Sequence, residues 1–86
     1  MEKILFYTNK WDSVKQFVEH YNNLLQNGYE VAFATDSIEI AKRLGMGKML
    51  VLKLGNYTPD IMVSDTKLSE YPNALSLDKF LEVLNE

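Results

Sequence analysis

Apolar residues along the chain fall into short continuous runs and helix-spaced stripes. Ile4-Leu5-Phe6-Tyr7, within Lys3 to Thr8, is an unbroken apolar run, the pattern of a strand covered on both faces. Val14, Phe17, Val18, Tyr21, Leu24 and Leu25 then recur at three- and four-residue intervals and predict one amphipathic helix of about sixteen residues. Asp12 or Ser13 suits its N-cap, Ser13-x-x-Gln16 fits a capping box, and Asn27-Gly28 supplies a left-handed stop. From Tyr29 to Thr35 the pattern alternates. Tyr29, Val31 and Phe33 take one face and Glu30, Ala32 and Ala34 the other, which predicts an edge strand with one less-buried face.

Asp36-Ser37 caps a short helix through Leu44, ended by Gly45. Lys48 to Leu54 is mostly apolar and reads as a central strand. Gly55 to Asp60 is turn-like, Ile61 to Ser64 is a short strand, and Pro59 at its mouth suits an edge position. A polar loop from Asp65 to Leu75 leads to a last helix opened by Ser76, with Leu77, Phe80, Leu81 and Leu84 inward.

The predicted order is βαβαββα in one domain spanning residues 1–86. The first two strands, joined by a crossover helix, should be parallel. The hairpin-length link between the last two should make them antiparallel. Burial patterns put the first and third strands in the centre. The expected fold is therefore α/β, a four-stranded mixed sheet in order 2-1-3-4 with helices on both faces. The first and last helices should share one face and the Ser37 to Leu44 helix should take the other.

Composition narrows the chemistry. The 86 residues include no cysteine, so thiol–disulfide exchange is excluded and the usual structural zinc and iron–sulfur sites have no ligands. A net charge of −3 with scattered Lys and Arg argues against a nucleic-acid partner. No apolar run reaches the ~18 residues of a membrane helix, and Met1-Glu2-Lys3 leads straight into a strand, so neither a membrane span nor a signal peptide is expected. The expected compartment is the cytoplasm. His20 is the only histidine and lies on the flank of the first helix's stripe; no metal site and no cofactor are expected. Gly45-Met46-Gly47-Lys48 precedes a strand rather than opening a helix, so it is not read as a phosphate loop. Met46, Met49 and Met62 read as core filler.

Phe6-Tyr7-Thr8 followed by Trp11-Asp12-Ser13-Val14-Lys15 is similar to the strand-to-active-site passage of the thioredoxin-like family. With the strand order above, the chain resembles that fold in its minimal, glutaredoxin-sized form. In that register the family's two cysteines map to Asp12 and Lys15. Gly45 to Leu50, where the family places a cis-proline, holds no proline, and the glycine pair that often follows the fourth strand is absent. The resemblance therefore implies a redox-inactive domain with no catalytic residues.

The family's substrate groove corresponds here to Trp11, Asp12, Lys48, Met49 and Asp65, with Tyr57 and the Tyr71-Pro72 loop as further anchors. Trp11 either staples its helix to the core or stands out as a contact anchor. The leading expectation is a non-catalytic protein- or peptide-binding module, viral or accessory, able to self-associate through edge strands. The alternative is a protein or enzyme holding a glutathione-like or other small anionic ligand, with Tyr7, Ser13 and Lys15 as its polar groups.

Overall fold

The computed structural model describes residues 2–44 and 57–84, together with the backbone of 49–51. Its elements are β1 (Lys3–Tyr7), α1 (Trp11–Val18), α2 (Tyr21–Gln26), β2 (Glu30–Ala34), α3 (Ile38–Leu44), β3 (Met49–Val51), β4 (Ile61–Ser64) and α4 (Leu77–Leu84). One sheet runs in the order β3-β2-β1-β4, and every pairing in it is parallel.

This overturns the mixed sheet in order 2-1-3-4 and with it the minimal thioredoxin-like arrangement. β2 is interior rather than an edge, β3 is an edge rather than central, and β4 pairs with β1 instead of forming a hairpin with β3. Two physical readings failed. The alternation in β2 predicts one less-buried face, yet Ala32 and Ala34 are buried in a cluster that Tyr57, Leu68, Tyr71 and Ala74 cover. Gly55 to Asp60 reads as a hairpin-length turn, but β3 is Met49–Val51, and a chain joining Val51 to Ile61 can reach up to about 33 Å, enough to recross a four-stranded sheet.

The helices also segregate differently. Val14 and Phe17 of α1, Leu24 of α2, Ile40 and Leu44 of α3, and Leu77 and Phe80 of α4 share one core with Ile4, Phe6, Val31, Phe33 and Val63. All four helices thus cover one face, against the expectation that α3 would lie on the other. Right-handed crossovers require this of α1, α2 and α3, because β1, β2 and β3 succeed one another in a single direction, and α4 joins them by burying Leu77 and Phe80 in the same core. The opposite face, Leu5, Tyr7, Ala32, Ala34 and Met62, is covered by Tyr57, Leu68, Tyr71 and Ala74 from connecting segments.

Phe17 locks the helical layer. Its ring stacks on Phe6 at 4.4 Å and on Phe80 at 6.0 Å, and meets Phe33 edge-on at 5.6 Å. The single helix expected over this stretch is broken at Glu19–His20. There the His20 amide donates to the Phe17 carbonyl at 2.9 Å, and the stripe splits: Val14, Phe17 and Leu24 are buried while Val18 and Leu25 are exposed. The Asn27-Gly28 stop is present. Gly28 has φ +90°, its amide donates to Leu25 and that of Tyr29 to Leu24, which closes a Schellman motif. Ser37 and Ser76 cap their helices through Oγ, accepting from the amides of Ile40 and Lys79 at 3.3 and 3.2 Å.

Candidate functional site

In a parallel sheet the strand order reverses where consecutive crossovers leave a central strand on opposite sides, and the loops there diverge to open a crevice at the carboxyl edge. Here β1 is that strand, flanked by β2 and β4. Its last residue, Tyr7, stands level with Ala34 and with Ser64. One residue further on, Thr8 therefore faces Asp65 on one side and continues the ladder to the Ala34 carbonyl on the other, at 3.2 Å. Two polar corners result.

The corner on the β2 side is knitted shut. Asn9 Oδ1 accepts from the Thr35 hydroxyl at 2.8 Å and from the Asp36 amide at 2.7 Å, while Asn9 Nδ2 donates to the Tyr7 hydroxyl at 3.0 Å. The Tyr7 hydroxyl in turn donates to Asp36 Oδ2. Burial, then the bond to Asp36, pushes the Tyr7 phenol above its ordinary value. Beside it Trp11, half-buried, packs against the helical core and carries the Arg43 guanidinium 5.0 Å from its ring centroid. Trp11 thus acts as the staple between α1 and α3, beside a shallow hollow of ≈ 210 Å³.

The corner on the β4 side leaves one acceptor unused. Asp65 Oδ2 accepts from the Thr8 hydroxyl at 2.5 Å and the Ser13 hydroxyl at 3.1 Å. Asp65 Oδ1 is buried and has no hydrogen-bond partner. Thr8 is only 2% exposed, so this carboxylate is held from beneath by a fixed hydroxyl. The loop that follows β4 encloses a cleft of ≈ 650 Å³ with Asp65 in its lining, an apolar side formed by Leu68, Tyr71, Pro72 and Ala74, and Lys67 in its wall. Leu75 closes the loop by pairing beside β4: its amide donates to Met62 and its carbonyl accepts from Ser64, both at 2.8 Å.

The residues singled out in the sequence separate as follows. Asp65 and Tyr71 share the cleft, and Ser13 joins them through its bond to Asp65. Ser13 is therefore neither the N-cap nor part of a capping box: α1 starts at Trp11 with Lys10 as N-cap, and Asp12 is an exposed first-turn acid where the helix dipole favours one. Lys15 is exposed one turn on. Tyr57 lies over the loop-covered face, its hydroxyl donating to Glu30 at 2.8 Å and its carbonyl accepting from the Tyr71 hydroxyl at 2.9 Å; burial, then Glu30, pushes its phenol up to about 12. Lys48 lies outside the described residues, and Met49 is described only as a backbone member of β3.

Thr8 figures in the sequence as a strand end and in the Phe6-Tyr7-Thr8 run, but not among the candidate site residues. The signal that marks it is positional: a polar residue directly after each of two strands that prove to be neighbours. Among the described residues no three His, Cys, Asp or Glu side chains converge as a metal would need, and no helix is long and apolar enough to cross a membrane. No family model matches the chain, and no curated protein or solved structure matches it either.

Proposed function

We propose that the protein is a non-catalytic binding domain that takes a peptide segment of a partner protein into the carboxyl-edge cleft. The observation that carries this reading is the cleft itself, ≈ 650 Å³ at the point where strand order reverses, with a carboxylate on one side and an apolar wall on the other. That volume lies within the range of roughly 300–1,000 Å³ typical of ligand sites, and an apolar wall with few polar groups is their usual make-up.

A binding role fits the side chains better than catalysis does. The Ser13 hydroxyl donates to a carboxylate, His20 lies beyond the far end of α1, and the chain holds no thiol. A cytoplasmic setting suits a small domain without disulfides. The reading with a glutathione-like anion draws little from this geometry. The Tyr7 and Ser13 hydroxyls that it needs are already given to Asp36 and Asp65, and two carboxylates at the edge repel an anion.

Panning the immobilised protein against displayed random peptides tests the proposal. Selected peptides should move the amide NMR signals of Thr8 and of Ser64 to Ser69. Failure to select any peptide, or shifts confined to other regions, removes the reading. A rise in melting temperature with millimolar glutathione would favour the anionic ligand instead.

A further inference from the structure

The carboxylate of Asp65 is half used. One oxygen takes two neutral hydroxyls, while the other is buried with nothing to accept from, an arrangement that a folded chain rarely leaves without a purpose. Neither hydroxyl cancels its charge. Among the described residues Asp65 has no ion-pair partner, even though Lys67 lines the same cleft. The adjoining wall is apolar and formed by Leu68, Tyr71, Pro72 and Ala74.

Resting on the peptide-binding reading above, we infer that Asp65 anchors a primary ammonium group of the bound segment, which enters between the apolar wall and the carboxylate. A lysine side chain fits this shape. Its methylene stem lies along apolar surface while the charged head reaches an acceptor. Thr8 and Ser13 act as positioning residues: by donating to Oδ2 they fix the carboxylate and leave Oδ1 to accept from the ammonium. In the free chain Oδ1 has no contact with solvent, so the ligand must part the wall to reach it. That wall, residues 66–76, consists of turns and the single bridge at Leu75 and has no helix to melt.

The test uses the full chain and short peptides in which each position in turn is Lys, ε-acetyllysine or norleucine, with N-termini free or acetylated. One position should prefer Lys over both neutral analogues, and Asp65→Asn should weaken that binding about thirtyfold or more. In wild type, the amide signals of Thr8, Ser13 and Asp65 should shift with the Lys peptide and not with its ε-acetylated twin. This readout holds even where a variant folds poorly. Binding that instead depends on a free N-terminus and on Asp65 identifies the ammonium as a chain end and supports the anchor equally. Peptides that bind with no preference for an ammonium overturn the inference and leave the peptide-binding reading standing. If no peptide binds, both fall together.

Discussion

The two corners of the carboxyl edge are built from the same materials to opposite effect. Each holds one aspartate just past a strand, together with hydroxyls from neighbouring segments. Around Asn9 the polar groups pair with one another: Tyr7, Thr35 and Asp36 all bond to it, and Asp36 closes the ring by accepting from Tyr7. Around Asp65 the donors run out, leaving one buried oxygen beside a cleft. Satisfied networks rigidify, while unsatisfied ones retain free energy for a ligand to release. The first corner should therefore govern stability and the second binding.

The largest effect should come from beneath both corners. Phe6 is fully buried and in ring contact with Phe17 and Phe33, so Phe6→Ala should cost about 3–5 kcal/mol in chemical denaturation. A near-wild-type midpoint would mean that β1 is not the strand the two corners share. Next, Asn9→Ala removes the hub of the closed corner and should cost about 1–2 kcal/mol, discounted because Asn9 is exposed, with peptide binding unchanged. Loss of binding with stability intact would reverse the assignment of the corners.

Alkaline pH gives a smaller, signed effect. Tyr7 is raised from 10.0 and Tyr57 is pushed up to about 12, both first by burial. The folded chain thus keeps protons that the unfolded chain gives up near 10, so their contribution is complete below that pH and is lost as pH rises toward 12. Tyr7→Phe and Tyr57→Phe should each flatten the fall in stability over that window, whereas Asp65→Asn, which removes only the last of the causes that raise Tyr7, should flatten it least. A slope unchanged in both tyrosine variants would show that neither phenol is held as described. The smallest change in stability belongs to Asp65→Asn itself, under about 1 kcal/mol by thermal melting, since the amide keeps an acceptor for Thr8 and Ser13. A drop several times larger would make Asp65 a structural residue like Asn9.

Element by element, much of this chain is legible from its residues. The apolar run of β1, the Ser37 and Ser76 caps and the Gly28 stop each depend on neighbours within a few positions, where side-chain chemistry and allowed dihedrals decide alone. The break at Glu19–His20 was not legible, because no proline or glycine marks it. It divides a stripe in which only some apolar residues find the sheet. Of the site residues, Asp65, Ser13 and Tyr71 were singled out for a groove that does not exist in this fold, and they meet nonetheless.

The sequence by itself determined most of the elements and their succession, apart from the split between α1 and α2, together with the absence of thiol chemistry and most of the core, since these follow from local periodicity and composition. Only the tertiary structure decided which strands are neighbours. The Glu30, Ala32 and Ala34 face of β2 suits solvent or a cover from Tyr57 and Tyr71 equally well, and a link of given length permits a hairpin or a recrossing. Strand order then decided the site. Thr8 and Asp65, 57 positions apart, share a hydrogen bond only because β4 pairs with β1, and pairing over that separation is fixed by packing of the whole chain rather than by any local signal.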